Sequence, residues 1–273
     1  MTLADMCPHR LDELVDAVAA MAAKHHGEIT GLLAGGTESL VAAARSRSGI
    51  PFVVKGTADV TAAGAEAQLF TSGVPSPELY DLDPGTGVLA MEHIDGAPVC
   101  ATAPGDPAGE LARLRDLLDT VAAAELCTSG LDGFAATIAT RLGRYRRTCE
   151  AAGRPDLAVW ADRVAELAGE AWVPLDLHPK NILVDRTGAW RLIDPMPTRF
   201  VLQWCVAKWA VVRRVPGTYA GTSLAAFAAH LRPDEAALMV GTAVWEIGSQ
   251  RDPLRAEALL ELIDATADRA VAR

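Results

Sequence analysis

One stretch of the chain decides the fold: PLDLHPKNILVDRTGAWRLIDP, residues 174–195. In it, Asp176 precedes Asn181 by five positions, and Asn181 opens a short apolar run that is typical of a strand. Residues 185–188, Asp-Arg-Thr-Gly, form a hairpin turn signature, and the second apolar run ends at Asp194. The pattern predicts a short polar loop and then a β-hairpin that leads to a second carboxylate.

This loop and hairpin supply three side chains that phosphoryl transfer from ATP requires. A carboxylate must accept the proton of the attacking hydroxyl, and Asp176 is the candidate base. An amide oxygen and a second carboxylate must hold Mg²⁺, which prefers hard oxygen ligands, and Asn181 and Asp194 are the candidates. Alternatively, all three residues only cap turns, as Asp and Asn often do. The downstream hairpin and the strand-rich region upstream favour the catalytic interpretation.

The rest of the chain divides by pattern into a β-rich part and a helical part. Apolar residues at helical spacing open the chain. After a Pro-, Gly- and Ala-rich segment at 101–107, helical spacing of apolar residues dominates again. We therefore expect an α+β, bilobal fold: a small antiparallel-sheet N-lobe at residues 1–94 and a larger, mainly helical C-lobe at 95–273. Strands are predicted at Ile29–Leu33, Ser39–Ala44, Pro51–Lys55, Glu78–Leu82 and Gly87–Ile94.

The motif Asp-Leu-His-x-x-Asn at 176–181 and the motif Trp-x-x-Ile-Asp-Pro at 190–195 resemble those of the aminoglycoside phosphotransferase-like kinases. These enzymes share their fold with the protein kinases. The motifs are most similar to the branch of the streptomycin 6-phosphotransferases and hydroxyurea-antibiotic kinases. By motif order the resemblance covers most of residues 28–196, and it is specific over about 174–196. It implies an ATP- and Mg²⁺-dependent kinase with a nucleotide-binding N-lobe and a catalytic, acceptor-binding C-lobe.

The upstream half contains candidate nucleotide-binding residues. Lys55 ends an apolar run, as a strand lysine that reaches phosphates does, and Glu66 lies eleven residues on in a weakly helical segment. Alternatively, Lys55 and Glu66 are ordinary charged residues at the protein surface. In the turn at 35–39, Gly36, Thr37 and Ser39 either approach phosphates or only form a hairpin. The resemblance implies that the backbone of Glu92, His93 and Ile94 is the hinge that binds adenine.

Residues that would bind the acceptor are harder to find. His178 either contacts the transferred phosphate or is a structural histidine, and Arg199 follows the candidate metal ligand Asp194. Glu246 and Asp252 begin an acidic stretch that would attract a cationic acceptor or, more simply, form the solvated face of a helix. The candidate substrate-binding residues are therefore His178, Arg199, Glu246 and Asp252.

Composition narrows the class of partner. The formal net charge of −10 argues against nucleic acid or an anionic membrane and suits a cationic small molecule. The five cysteines have no zinc-site spacing and fit a reducing cytoplasm, and neither a secretory signal nor a long apolar span is recognisable. The sequence carries no information on the oligomeric state.

Three functions therefore compete. The first is a kinase that inactivates a basic hydroxylated antibiotic, either an aminoglycoside or a basic peptide such as viomycin or capreomycin, and so confers resistance. The second is a kinase of a metabolic sugar or amino sugar. The third is a nucleotide-binding pseudokinase, because Pro174-Leu175 stands where related families carry His-Gly and the segment after Asp194 also departs from their pattern. Since Asp176, Asn181 and Asp194 are all present, the third function ranks last.

Overall fold

A computed structural model provides the structure of this chain. It describes residues 8–33, 39–101, 106–127, 169–213 and 226–249, and scattered residues between 147 and 167. The chain divides into two compact units. The first comprises Met1–Ala97, Ala124–Leu131 and Leu183–Pro197, and the second comprises Pro98–Ala123, Asp132–Ile182 and Thr198–Arg273. Within the described ranges, no helix is both long and apolar enough to cross a membrane.

A five-stranded antiparallel sheet forms the centre of the first unit, in the order β1-β2-β3-β5-β4. The five predicted strands are confirmed, with small shifts at their ends. In the register of the sheet, Lys55 lies between Val41 on one side and Leu89 on the other. The strands are β1 (Gly27–Leu32), β2 (Ser39–Ser46), β3 (Pro51–Thr57), β4 (Leu79–Asp83) and β5 (Val88–Glu92).

Two helices cover opposite faces of this sheet, α1 (Pro8–Lys24) and α2 (Val60–Thr71). Phe52 and Val54 of β3 point to the α1 side, where they pack in one buried cluster with Leu14, Val18 and Met21. Successive side chains of a strand alternate between faces, so Lys55 points to the α2 side. That side has its own buried cluster, formed by Ala63, Ala67, Phe70, Leu89 and Met91.

The predicted hairpin follows in β8 (Ile182–Asp185) and β9 (Trp190–Leu192), which form a three-stranded sheet with β6 (Gly96–Pro98). Asp185 forms the turn: its Oδ1 accepts hydrogen bonds from the backbone N–H of Thr187 at 2.8 Å and of Ala189 at 3.0 Å. The backbone N–H of Leu192 donates to the Pro75 carbonyl at 2.7 Å. The hairpin therefore carries Asp194 into the first unit.

The second unit contains three described α-helices: α3 (Pro107–Ala122), α4 (Leu202–Val212) and α5 (Pro233–Ser249). Strand β7 (Ala171–Pro174) pairs with β10 (Pro197–Phe200) and ends just before Asp176. The leucine stripe of α3 is buried, and Glu110 of α3 accepts hydrogen bonds from Trp209 Nε1 and Arg213 Nε, both at 2.8 Å. These buried contacts join α3 to α4.

Candidate functional site

A cluster of three charged residues lies in the first unit; we call it the Lys55 cluster, after Lys55, Glu66 and Asp194. The Lys55 ammonium donates to Glu66 Oε2 at 2.6 Å, to Glu66 Oε1 at 2.8 Å and to Asp194 Oδ1 at 2.6 Å. Lys55 and Glu66 are each only 5 % exposed. The structure thus brings together three residues that the sequence singled out, one of them 139 positions from Lys55.

The charges in the Lys55 cluster keep its lysine protonated. Burial by itself would lower the pKa of Lys55, but the carboxylates of Glu66 and Asp194 outweigh it and hold the pKa above its ordinary value. A buried ammonium with two carboxylate partners is a fixed positive charge.

Asp194 itself has an unusual backbone conformation. Its φ is 51°, and Met196, two residues on, has a φ of 42°. Both lie in the left-handed region, which residues other than glycine rarely adopt, and they flank Pro195. Strained conformations of this kind cost of order 1–3 kcal/mol each and concentrate at functional sites. The strain turns the chain sharply just where the Asp194 carboxylate meets Lys55.

A second group of polar residues lies in the loop 176–181 of the second unit. The Asn181 amide nitrogen donates to the backbone carbonyl of Asp176 at 2.8 Å and to Asp176 Oδ2 at 2.9 Å. The backbone N–H of Asn181 donates to the His178 carbonyl at 2.8 Å and closes a short 3₁₀ turn, Pro179–Asn181. Because its amide nitrogen makes both bonds, Asn181 presents its amide oxygen as the group for a ligand.

Positive charge surrounds the Asp176 carboxylate. Burial by itself would raise the pKa of Asp176, but the ammonium groups of Lys208 and Lys180 and the hydrogen bond from Asn181 outweigh it, so the pKa lies below its ordinary value. Asp176 is therefore ionised at neutral pH. Lys208 is not among the residues that the sequence patterns single out. Its only signal is that it is the one charged residue in the helix Leu202–Val212, LQWCVAKWAVV.

His178 stands beside this carboxylate, with its Nε2 3.5 Å from Asp176 Oδ1. Burial lowers the pKa of His178 to about 4, and the Lys208 ammonium adds to the effect. The imidazole is therefore neutral at pH 7.

The depressed pKa of His178 predicts a pH-dependent loss of stability. The unfolded chain binds a proton at this residue near pH 6.5, whereas the folded protein does so only near pH 4. The stabilisation is therefore complete above about pH 6.5 and declines as the pH falls to about 4, by about 3 kcal/mol. Urea unfolding across this range should show the decline in the wild type and a weaker one in His178→Gln. An NMR titration of the His178 ring with a midpoint near 6.5 would contradict the prediction.

The other candidate nucleotide-binding residues that the structure describes lie at or next to the ends of strands. Ser39 is the first residue of β2 and is buried, whereas Gly36 and Thr37 lie outside the described residues. Glu92 ends β5, and His93 and Ile94 follow it. The Glu92 carboxylate accepts a hydrogen bond from Arg191 Nη2 at 2.6 Å. The same guanidinium donates to the carbonyl of Ser76 at 2.6 Å. Arg191, which belongs to the hairpin, therefore holds the end of β5 in place.

Two of the other candidate acceptor-binding residues, Arg199 and Glu246, are described by the structure. Arg199 stacks on Trp172, with its Cζ 4.5 Å from the ring centroid, and donates to the carbonyl of Glu170. Glu246 is only 2 % exposed, and its Oε1 lies 3.6 Å from Lys208 Nζ. Its carboxylate therefore balances a buried ammonium and does not belong to a solvated acidic face. Asp252 lies outside the described residues.

The sheet, the hairpin and the helices together form the fold of the aminoglycoside phosphotransferase-like kinases, as comparison with solved structures shows. A thermostable mutant of aminoglycoside phosphotransferase APH(4)-Ia, in a ternary complex with AMP-PNP and hygromycin B, has a TM-score of 0.58 and 15 % identity to this chain. The match covers 94 % of this chain and 100 % of that one. This likeness establishes the fold class.

Two further structures are similar over nearly their whole length. A fructosamine-3-kinase, described as putative, from Thermobifida fusca YX-ER1 has a TM-score of 0.58 and 18 % identity, over 94 % of this chain and 99 % of that one. Macrolide 2'-phosphotransferase MphH from Brachybacterium faecium has a TM-score of 0.52 and 18 % identity, over 92 % and 98 %. No family model and no curated protein sequence matches the chain.

Proposed function

We propose that this protein is an ATP-dependent kinase that transfers a phosphoryl group to a hydroxyl of a small molecule. The observation that carries the proposal is the Lys55 cluster, a buried ammonium held by Glu66 and Asp194 in a kinase-like fold. A strand lysine that is paired with a helix glutamate is the arrangement that kinases use to hold the phosphates of ATP. The ammonium of Lys55 is the phosphate ligand, and Glu66 orients it.

Two oxygen ligands for Mg²⁺ follow from the same proposal. The Asp194 carboxylate and the Asn181 amide oxygen are hard donors of the kind that Mg²⁺ prefers, and Asn181 already has its amide nitrogen engaged by Asp176. The donor set therefore fits the ion. When bound, Mg²⁺ neutralises the charge of the phosphates during transfer.

Asp176 is the proposed catalytic base. Its low pKa keeps it ionised, so that it accepts a hydrogen bond from the acceptor hydroxyl at neutral pH. The same low pKa makes it a weak base. In a loose transition state the hydroxyl keeps its proton until late, so orientation of the nucleophile contributes most of the effect. His178, neutral beside it, acts as a hydrogen-bonding neighbour of the carboxylate or of the phosphate.

The nucleotide is proposed to bind to the first unit. The backbone of Glu92, His93 and Ile94 would bind adenine, and the turn with Gly36, Thr37 and Ser39 would approach the phosphates, as the family resemblance implies.

If the end of β5 binds adenine, Arg191 affects the affinity for ATP. Arg191→Met removes the hydrogen bonds to Glu92 and to the Ser76 carbonyl that hold this segment. We expect the KM for ATP to rise roughly three- to tenfold, about 1 kcal/mol, with kcat little changed. Arg186→Met is the matched control, because Arg186 is an exposed arginine of the same hairpin. Steady-state kinetics with varied ATP measures both, and an unchanged KM in Arg191→Met would contradict the hinge assignment.

The acceptor is proposed to be a basic hydroxylated antibiotic, an aminoglycoside or a basic peptide such as viomycin or capreomycin, whose phosphorylation confers resistance. The net charge of −10 and the motif similarity to the streptomycin 6-phosphotransferase and hydroxyurea-antibiotic kinase branch support this class. The described cysteines Cys100 and Cys205 are free thiols, which fits a cytoplasmic enzyme. A sugar or amino-sugar kinase is the second candidate, and the similarity to a fructosamine-3-kinase supports it.

An acceptor screen tests the proposal. The wild-type protein with Mg²⁺ and ATP is assayed for ATP consumption and for phosphorylated product, against a panel of aminoglycosides, basic peptide antibiotics, sugars and amino sugars. We expect turnover with at least one basic antibiotic, abolished in Asp176→Asn. Turnover with sugars alone would move the assignment to the second candidate. Tight binding of Mg-ATP without turnover of any acceptor would contradict the kinase proposal and favour a pseudokinase.

A further inference from the structure

Lys208 is a buried cation in the middle of helix α4, which is otherwise mostly apolar. It is 1 % exposed, and its ammonium donates a hydrogen bond to the carbonyl of Leu175 at 2.8 Å. The ammonium also lies 3.6 Å from Glu246 Oε1 of helix α5 and 5.1 Å from the ring centroid of Trp204. One lysine thus joins α4 and α5 to the residue that immediately precedes Asp176.

Stability alone does not account for a lysine in this position. Moving an ammonium out of water costs several kcal/mol, and a carboxylate such as that of Glu246, with Oε1 at 3.6 Å, repays this cost only when the geometry of the pair is very good. Well-packed apolar residues of similar volume often replace buried ion pairs without loss of stability. The contribution specific to lysine is its directed hydrogen bond to the Leu175 carbonyl.

This hydrogen bond and a second one fix the backbone on both sides of Asp176. Lys208 holds the carbonyl of the peptide group before the Asp176 Cα atom, and Asn181 holds the carbonyl of the peptide group after it, both at 2.8 Å. Because peptide groups are planar, the two bonds together restrict φ and ψ of Asp176. The direction of its Cα–Cβ bond, and so of its carboxylate, is set by these two angles.

We propose that Lys208 is a positioning residue for phosphoryl transfer, which orients the Asp176 carboxylate through the Leu175 carbonyl. The inference rests on the proposed function. Glu246 compensates the charge of Lys208. The acidic character of Glu246 alone did not reveal this role. Orientation matters because a displacement of about 1 Å in a catalytic group lowers the rate by roughly a hundredfold.

A double-mutant cycle with Asp176 tests the proposal. Lys208→Met keeps the length of the side chain and removes the ammonium. We expect kcat to fall roughly 10- to 100-fold, with the KM for ATP unchanged. In the Asp176→Asn background the same substitution should change the residual transfer rate by less than about twofold, because the group that Lys208 orients is already lost. Lys208→Arg, which keeps a cationic donor, should recover most of kcat, and Lys208→Gln, which keeps only a donor, should recover part of it.

Arg115→Met is the matched control. Arg115 also forms an ion pair with α5, through Glu235, but its described contacts are with Glu235 and the His230 carbonyl and not with the loop 176–181. All assays are run well below the melting temperature of each variant. Arg115→Met should lower the stability of the protein. Its effect on the rate should be the same in the wild-type background and in the Asp176→Asn background.

Each outcome decides the proposal. Multiplicative effects of Lys208→Met and Asp176→Asn, or no rescue by Lys208→Arg, would overturn it by showing a merely structural lysine. If Lys208→Met does not fold, Lys208→Gln and Lys208→Arg carry the same cycle. A wild-type protein that transfers phosphate to no acceptor refutes the proposed function, and the inference with it. The wild-type assay alone would reveal that the proposed function is wrong. Only the double-mutant cycle, measured on an active enzyme, would reveal that the positioning role of Lys208 is wrong.

Discussion

Asp176→Asn is expected to lower kcat by about 10²–10⁴-fold, the usual range for a positioned acid or base. The substitution keeps the shape of the side chain but removes the negative charge that receives the hydroxyl proton. In the wild type, the Asn181 amide nitrogen donates to Asp176 Oδ2 at 2.9 Å. The substitution places an amide opposite this nitrogen. Lys208 and Lys180 stabilise the charged form of Asp176, and the substitution removes this favourable interaction. Single-turnover and steady-state rates with a working acceptor measure the change.

The control for this variant is Asp116→Asn, an exposed aspartate in the middle of α3. It should leave kcat unchanged, and both variants should retain the affinity for Mg-ATP within about threefold. A decrease of less than tenfold in kcat for Asp176→Asn would exclude the role of base. The loop would then be a structural turn in which Asn181 closes a 3₁₀ segment.

Lys55→Met is expected to abolish use of ATP and to destabilise the first unit. The ammonium is the cation that lies between two carboxylates, and Glu66 is only 5 % exposed. Removing one partner of a buried ion pair typically costs 3–5 kcal/mol, since the remaining charge is left uncompensated. Thermal unfolding should show this loss, and kcat/KM for ATP should fall by ~10²-fold or more if the ammonium binds phosphate.

A second variant separates the structural effect from the functional one. Lys55→Met combined with Glu66→Gln removes the uncompensated carboxylate and should recover a large part of the stability. It should not recover ATP use, because the phosphate ligand is still missing. Lys24→Met is the matched control at an exposed lysine and should leave kinetics unchanged. Recovery of ATP use in the double variant would show that Lys55 serves only the fold.

The motifs at the centre of the candidate site were predictable from sequence because they are local. Asp176 and Asn181 are five residues apart in a loop that a proline and a short 3₁₀ turn constrain. Lys55 and Glu66 are eleven residues apart, and the alternation of β3 and the turn of α2 suffice to place them on the same side of the sheet. Local geometry of this kind follows from residue types and spacing.

Long-range packing decided the rest. Lys55 meets Asp194 across 139 residues, and Glu92 meets Arg191 across 99, through the pairing of the hairpin with the first unit. Glu246 was read from sequence as an acid that faces solvent or substrate, but the packing of α4 against α5 buries it beside Lys208. A charged residue in a helix pattern is normally at the surface, so its burial becomes evident only when its neighbours in space are known.

The sequence by itself determined the fold class and the chemical groups of the candidate site, since hydrophobic periodicity and motif spacing are properties of short segments. Only the tertiary structure decided which of those groups are buried, which cation faces each carboxylate and which way the pKa of Asp176 and His178 moves. The physical reason is that desolvation and Coulomb interactions depend on distances between atoms in space, and positions along the chain do not specify those distances.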